Sequence, residues 1–232
     1  MTITFITGAN KGLGRETARR LVEAGHTVLL GARDPEAGAR AAAAVGARFV
    51  SIDVTDDASV AAAAADVAEH EGAIDVLINN AGVHGPAGDP SGLTGADALG
   101  VFDVNVAGVV RTTTAFLPLL RRSADPVIIN VSSGMGSLAL THDPSRAESK
   151  VVAPLYTASK AALTMLTTQY AKAFPGIRVN AADPGYTATD LNGHSGPQTV
   201  TEGTDALVGL ATERPGAGSG RFVDRTGEVA WS

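Results

Sequence analysis

The strongest constraint on the fold is the regular alternation of short apolar runs with helix-forming segments. Six runs have strand length, at residues 2–7, 27–32, 48–53, 74–80, 126–133 and 177–183. They lack polar alternation, so we expect strands buried on both faces, as in a parallel sheet covered by helices. Repeated β-α-β units with right-handed crossovers predict an α/β fold with a doubly wound parallel sheet of about seven strands.

Composition limits the number of domains and the classes of partner. A chain of 232 residues suits one large domain, so we expect residues 1–232 to form a single unit. The net charge of −6 gives no basic patch for nucleic acid. No apolar run approaches the roughly 20 residues of a membrane span, and the N-terminus lacks signal-peptide features, so we expect a cytoplasmic protein without a membrane partner.

Metal and thiol chemistry are not predicted. The chain has no cysteine, which excludes disulfides and thiolate nucleophiles. Its five histidines are not spaced as metal ligands, and we expect no metal site. Two of them, His84 and His194, fall in predicted loops, where we expect them to face solvent.

The segment TGANKGLG, residues 7–14, lies between the first predicted strand and the first predicted helix. Free backbone N–H groups at such a helix start, together with the helix dipole, favour an anionic pyrophosphate. Side chains at Gly12 and Gly14 would block its approach. A plain strand-to-helix turn is the alternative, but this context favours a dinucleotide site. Its predicted binding residues are Gly8, Asn10, Lys11, Gly12, Leu13 and Gly14.

The end of the second strand indicates which dinucleotide binds. An acidic residue there would bind the ribose 2′-OH of NAD, but this chain has Ala32 followed by Arg33. Arg33 and Lys11 are cations suited to a 2′-phosphate, so we predict NADP(H) over NAD(H). Asp34 argues the other way, and an Arg33 that only faces solvent is the alternative.

Further short motifs follow in order along the chain. They are DV at 53–54, NNAG at 79–82, NV at 105–106, VSS at 131–133, YTASK at 156–160 and DPGYTATD at 183–190. With the glycine turn, they resemble the short-chain dehydrogenases/reductases over essentially the whole chain, in the branch of carbonyl reductases and plant menthone-reductase-like enzymes. The resemblance implies a Rossmann fold that binds a nicotinamide cofactor.

The resemblance also implies the catalytic residues. Tyr156 corresponds to the general acid for carbonyl reduction, and Lys160, one helical turn later, lies on the same helix face. We expect Lys160 to lower the pKa of Tyr156 and to bind the nicotinamide ribose. Ser133, rather than its neighbour Ser132, corresponds to the serine that stabilises the developing negative charge, although either could simply cap a turn. Asn105 corresponds to an asparagine that holds a water beside the lysine, with helix packing as the alternative.

Cofactor contacts implied by the resemblance extend along three other segments. Asp53 and Val54 would touch adenine, and Asn80, Ala81 and Gly82 would lie on the adenine-ribose side. The nicotinamide side would be formed by Pro184, Gly185, Thr187 and Thr189, together with Tyr156 and Lys160.

Two irregular segments and one insertion complete the organisation. Residues 83–97 and 190–203 are rich in Gly, Pro and Ser, and we expect loops, the second serving as a substrate loop. Residues 137–153 form an insertion before Tyr156. In the family, such insertions can cover the surface used for tetramer assembly, so we expect a monomer; a surface loop with no effect on assembly is the alternative.

The C-terminal region should add one more short strand to the sheet. We expect it at Arg221–Asp224, followed by a tail in which Trp231 packs on the domain.

These features together predict an NADPH-dependent reductase for a small-molecule aldehyde or ketone. Three alternatives remain: an alcohol dehydrogenase acting in the oxidative direction, an isomerase using the same tyrosine and lysine, and an NADP(H) sensor without turnover. The presence of Ser133, Tyr156 and Lys160 together favours an enzyme.

Overall fold

The computed structural model describes residues 1–86 and 89–232. Within them, eight strands form one sheet in the order β3-β2-β1-β4-β5-β6-β7-β8. The strands are β1 Ile3–Ile6, β2 Thr27–Ala32, β3 Arg48–Ser51, β4 Val76–Asn79, β5 Val127–Val131, β6 Arg178–Ala182, β7 Phe222–Asp224 and β8 Gly227–Glu228. Strands β1 to β7 are parallel, and β8 runs antiparallel to β7. The predicted α/β class and parallel sheet are confirmed.

Helices connect the strands and cover the sheet. They are α1 Gly12–Glu23, α2 Pro35–Val45, α3 Asp57–His70, α4 Gly95–Phe102, α5 Gly108–Leu120, α6 Leu138–His142, α7 Pro154–Ala173, α8 Val200–Gly203 and α9 Asp205–Thr212. A π-helical turn at Asp103–Ala107 joins α4 to α5. Across residues 1–86 and 89–232, no helix has both the length and the apolar character needed to cross a bilayer.

Each face of the sheet has its own apolar core. On one face, buried residues of α1, α2 and α9 pack against the sheet, with Ile6 of β1 pointing into this core. On the other face, α3 and α5 pack around the neighbouring Phe5. Because successive side chains of a strand point to opposite faces, an unbroken apolar run fills both cores.

The predicted loop at 83–97 is more ordered at its C-terminal end than expected. A single 3-10 turn forms at Pro90–Gly92 and α4 begins at Gly95. The reason is a capping box, in which Thr94 accepts from the backbone N–H of Asp97 and the Asp97 carboxylate accepts from that of Thr94. The part of the prediction that falls on residues 87–88 lies outside the described residues.

The predicted loop at 190–203 also contains short helices. A 3-10 turn forms at Asp190–Asn192, and a second capping box, between Thr199 and Glu202, starts α8. Both segments carried the sequence signal of a helix start, a threonine followed three residues later by an acid.

The C-terminal strand begins one residue later than predicted, at Phe222, and continues into the unpredicted β8. The Asp224 carboxylate accepts hydrogen bonds from the backbone N–H groups of Thr226 and Gly227, which closes the tight turn between the strands. A strand of two residues is too short to leave a periodic signal in the sequence.

The insertion at 137–153 contains α6 and packs on the C-terminal tail. The Ser137 hydroxyl donates to the carbonyl of Ala230 over 2.6 Å, and the Leu138 N–H donates to the carbonyl of Trp231 over 3.0 Å. Trp231 is half-buried, which agrees with a packing role. The monomeric state stays a prediction.

A buried polar network lies where the central strands β4 and β5 end. Asn79 and Asn130 are register partners, and the Asn79 amide donates to Asn130 Oδ1 over 2.9 Å. The Thr112 hydroxyl donates to Asn79 Oδ1 over 2.7 Å, and Thr113 accepts from Asn79 Nδ2 over 3.3 Å. Thr167 accepts from Asn130 Nδ2 over 2.9 Å. The network therefore joins β4 and β5 to α5 and α7.

This network predicts a difference between two neighbouring threonines of α7. Thr167→Ala leaves the buried Asn130 amide without its acceptor, which costs about 1–3 kcal/mol of unfolding free energy. Thr168→Ala is the matched control, because that hydroxyl donates only within its own helix turn, to Met165. Urea unfolding should show the larger loss for Thr167→Ala. Equal losses would contradict an energetic role for the network.

Candidate active site

The glycine turn and the NNAG segment are locked together at the carboxyl ends of β1 and β4. Asn80 Nδ2 donates to the carbonyls of Thr7 and Gly8 over 2.8 and 3.0 Å. A Cβ at Gly14 would lie 2.5 Å from Asn80 Nδ2, and one at Gly8 would lie 2.8 Å from Ala81 Cα. Glycine is therefore required at both positions by close packing, and Gly8 also has a positive φ of 63°.

The start of α1 fits an anionic group. Helices α2 and α3 are capped by the carboxylates of Asp34 and Asp56, whereas α1 follows Lys11 without a side-chain cap and without an acid in its first turn. A Cβ at Gly12 would meet nothing closer than Thr189, at 3.8 Å. Uncapped N–H groups facing open space are what a pyrophosphate needs. Asn10 and Leu13 are half-buried in the same turn.

The two predicted phosphate-binding cations are exposed and lie near acids. Arg33 Nη1 is 3.9 Å from Asp53 Oδ2, and its side chain is 78% exposed. Lys11 pairs with Asp190 over 2.9 Å and is 64% exposed. Asp34, which argued against NADP, is occupied as the α2 cap, where it accepts from the N–H groups of the next turn.

The segment formed by Asp53 and Val54 is only partly accessible to a ligand. Asp53 Oδ1 accepts from the backbone and the hydroxyl of Thr55, whereas the Val54 side chain is buried against the start of α5 at Gly108. Contact of Asp53 and Val54 with adenine stays a prediction.

The structure distinguishes the two serines that follow β5. Ser132 is buried, and its hydroxyl bonds with Thr164 over 2.7 Å and with the carbonyl of Lys160 over 3.2 Å. Ser133 is half-buried, accepts a long bond of 3.2 Å from the N–H of Met135 as the cap of a 3-10 turn, and its hydroxyl faces Tyr156. Ser133, rather than the enclosed Ser132, is therefore the serine that lies beside Tyr156, and its contact with a substrate stays a prediction.

Tyr156 and Lys160 lie on one face of α7, as their spacing predicts. Lys160 Nζ is 5.6 Å from the centre of the Tyr156 ring and donates to the carbonyl of Val131 over 2.7 Å. Burial raises the pKa of Tyr156 to about 12, while the Ser133 hydroxyl opposes that rise. Burial also lowers the pKa of Lys160 to about 8, against the attraction of Asp183.

The pKa of Tyr156 is shifted in the direction opposite to the sequence-based expectation. We expected the neighbouring cation to lower the pKa of Tyr156, but the loss of hydration in the folded protein dominates. The phenol is protonated at neutral pH, as it would be at its ordinary pKa of about 10, and burial makes its ionisation harder still.

Asn105 is buried in the π-helical turn and clamps the loop after β4 to α7. Its Oδ1 accepts from the N–H of Val83 over 2.8 Å, and its Nδ2 donates to the Val83 carbonyl and to Ser159 Oγ, each over 2.9 Å. A Cβ at Gly82 would lie 3.4 Å from Asn105 Oδ1 and 3.6 Å from Lys160 Nζ, so both groups border the same spot. The packing role is observed, and the water-holding role stays a prediction.

The predicted nicotinamide loop is well ordered. Gly185 has a positive φ of 67° and turns the chain after Pro184. The N–H of Thr187 donates to the carbonyl of Gly185, and its own carbonyl accepts from Asn192 over 2.8 Å. Thr189 is nearly buried and lies opposite Gly12. The backbone N–H of Thr187 therefore already has an acceptor, and the predicted contact of Thr187 with a cofactor stays a prediction.

Asp183 is a buried carboxylate in the DPGYTATD motif, and the motif assigned it no role. Its Oδ1 accepts from the N–H of Gly185 over 2.9 Å. Burial raises its pKa, the N–H groups of Gly185 and Gly134 oppose this, and the like charges of Glu148 and Asp224 add to it. Asp183 thus links the turn after Ser133 to the nicotinamide loop.

The prediction that both loop histidines face solvent is correct for His194 and wrong for His84. His194 is exposed and pairs with Asp190 over 2.9 Å. His84 is half-buried and stacks on Tyr156, with ring centroids 5.0 Å apart and an angle of 18° between the planes. In residues 1–86 and 89–232, no three His, Asp or Glu side chains converge to hold a metal ion.

The buried ammonium predicts a pH-dependent stability difference. Because folding lowers the pKa of Lys160 to about 8, its burial penalty is full below that pH and is relieved as pH rises toward the unfolded value. The cofactor-free protein should therefore gain about 2 kcal/mol of unfolding free energy relative to Lys160→Met between about pH 7 and pH 9.5. Urea unfolding at both pH values checks this. Parallel pH dependences of the two proteins would contradict it.

Comparison with known proteins identifies the family. The family model described as short chain dehydrogenase matches residues 2–199. The chain is 36% identical to the short-chain dehydrogenase anuI of Penicillium roqueforti, covering 96% of this chain and 93% of that protein. It is 31% identical to (−)-isopiperitenone reductase of Mentha piperita, covering 97% of each. The NADPH-bound carbonyl reductase from chicken fatty liver superimposes with a TM-score of 0.87 at 30% identity, covering 100% of both chains. The chain belongs to the short-chain dehydrogenase/reductase family.

Proposed function

We propose that this protein is an NADPH-dependent carbonyl reductase in which Tyr156 is the general acid. The observation that carries the proposal is the convergence of Ser133, Tyr156 and Lys160 beside the glycine turn. A protonated phenol is the form that a reduction consumes, and the raised pKa of Tyr156 favours it.

The chain's own residues account for binding and protonation of the substrate oxygen. A nicotinamide cofactor, when bound, supplies the hydride. Ser133 Oγ donates to the substrate oxygen as negative charge develops there. Tyr156 then transfers its proton to that oxygen, which leaves a phenolate in a poorly hydrated site.

Lys160 has two roles in this proposal. It donates one hydrogen bond to the carbonyl of Val131, so two of its three donors remain for the nicotinamide ribose hydroxyls. Its charge also stabilises the phenolate that Tyr156 becomes, because the two groups lie one helical turn apart.

NADPH is favoured by the charges around the adenosine end. Arg33 and Lys11 are exposed enough to turn from Asp53 and Asp190 to a phosphate, since exposed ion pairs are weak. Asp34 already has a structural role, because its Oδ1 accepts two N–H bonds as the cap of α2. The relative whose structure contains NADPH supports the same choice.

The substrate we propose is an apolar aldehyde or ketone of small or medium size. Exposed apolar side chains lie on the nicotinamide loop, the substrate loop at 190–203 and the insertion. They are Tyr186 at 50%, Leu191 at 45% and Val152 at 76% exposure. An apolar ligand that covers them would gain hydrophobic free energy on binding.

The acid assignment predicts the behaviour of two tyrosine variants on the same helix. Tyr156→Phe should lower kcat/KM for carbonyl reduction by at least about 10²-fold, because the proton donor is lost. Its Kd for NADPH should stay within about twofold. Tyr170→Phe is the matched control, since Tyr170 packs on Phe174 and should keep full activity. Normal turnover by Tyr156→Phe in a steady-state assay would contradict the assignment.

The cofactor assignment predicts selective losses of NADPH affinity. Arg33→Ala and Lys11→Ala should each weaken NADPH binding by about tenfold, because a charged contact to the 2′-phosphate is lost. NADH binding should change by less than about twofold. Arg40→Ala is the control, since Arg40 is exposed on α2 and pairs with Glu36 of the same helix. Titration by fluorescence or calorimetry measures both affinities, and equal losses for the two cofactors would rule out the phosphate contact.

A further inference from the structure

His84 and Tyr156 form an aromatic stack beside the reacting group. The centroid distance of 5.0 Å and the angle of 18° are those of an offset parallel stack. Both residues are half-buried, and the ring of His84 therefore covers one face of the phenol. The proposed chemistry uses no atom of His84.

The position of His84 is fixed by the residues on either side of it in the chain. On its N-terminal side, both backbone groups of Val83 are bonded to the buried amide of Asn105. On its C-terminal side, Gly85 has a φ of 82°, and a Cβ there would lie 2.5 Å from the buried Val101 of α4. The left-handed turn at Gly85 and the clamp at Val83 restrain the backbone of His84 on both sides and so keep this residue beside Tyr156.

One side chain, that of Asn105, is bonded both to the loop that carries His84 and to the helix that carries Tyr156. Asn105, which holds Val83, also donates to Ser159 on α7, one turn from Tyr156. The loop that carries His84 and the helix that carries Tyr156 are thus fixed to the same side chain. The stack therefore joins two segments that Asn105 already holds together.

We propose that His84 is a positioning residue for the general acid: its ring holds the Tyr156 phenol toward Ser133 and keeps water from one face. Only the expected effect of His84 on turnover rests on the proposed function. Its effect on the phenol itself is a property of the cofactor-free protein.

The surrounding charges agree with this role. The titratable groups that face the phenol are Lys160 on the same helix, Asp183 after β6 and His84 itself. Since burial is the main reason for the raised pKa of Tyr156, removal of a ring that covers it should bring the pKa closer to the ordinary value of about 10.

The test compares His84→Ala, which removes the stack, with His84→Phe, which keeps a ring of similar size without its nitrogens. His142→Ala is the control, because His142 is exposed on α6. Phenolate absorbance below about pH 11 reports the titration in cofactor-free protein, and the same variants in a Tyr156→Phe background identify the signal of Tyr156. The kcat, KM and NADPH Kd are measured in parallel.

We expect His84→Ala to add one phenolate in this pH range that the Tyr156→Phe background removes. Its kcat should fall about three- to tenfold with NADPH Kd unchanged, the size expected from loss of one aromatic pair. His84→Phe should restore both readouts, and His142→Ala should alter neither.

Two results would overturn the proposal. One is a His84→Ala protein whose Tyr156 titrates as in the wild type, which would make the imidazole a bystander. The other is a His84→Phe protein as altered as His84→Ala, which would assign the effect to the imidazole nitrogens rather than to the stack. Because the titration needs no turnover, absence of activity in the wild-type protein would count against the proposed function alone.

Discussion

The site depends on the hydrogen bond between the side chains of Asn79 and Asn130, which joins the two central strands at their carboxyl ends. Amide side chains are costly to bury without hydrogen-bond partners, and here threonines of α5 and α7 supply partners for both. The strand end that leads to Asn80, the strand end that leads to Ser133 and the helix that carries Tyr156 are thereby held in one geometry. A purely apolar core at this level would pack the same elements with less specificity of register.

Next to this network lie three ionisable side chains whose charged forms are disfavoured by burial. Burial shifts the pKa of Tyr156 upward, of Asp183 upward and of Lys160 downward, so all three groups are pushed toward their neutral forms. Such shifts cost folding free energy and are typical of sites that move protons. The exposed ion pairs elsewhere, such as Arg40 with Glu36, contribute little in comparison. The three buried groups thus lower the unfolding free energy more than exposed ion pairs raise it, which agrees with a role in chemistry rather than in stability.

The sequence predicts the parts of the structure that depend on local pattern. Strand positions follow from apolar runs, and the glycine turn follows from close packing that only Gly8 and Gly14 allow. The choice of Ser133 over Ser132 rested on motif alignment alone, and burial of Ser132 now gives it a physical reason. The short helices at 95–102 and 200–203 had a readable capping signal that composition obscured.

The remaining features depend on contacts between distant segments. The stack of His84 on Tyr156 exists because Asn105 fixes two segments far apart in the chain, and no periodicity reports this. The direction of the Tyr156 pKa likewise follows from three-dimensional burial, whereas the four-residue spacing to Lys160 suggested only the opposing charge effect. Both differences concern the surroundings of Tyr156.

The most direct test of the account follows the hydride itself. Purified protein is incubated with NADPH carrying deuterium on the reactive face of nicotinamide C4, with each label position in turn, and with a panel of apolar aldehydes and ketones. Mass spectrometry then locates the label in the products. The account predicts deuterium on the carbinol carbon of at least one product, from one of the two label positions only. Saturable NADPH binding with no label in any alcohol across the panel would contradict it.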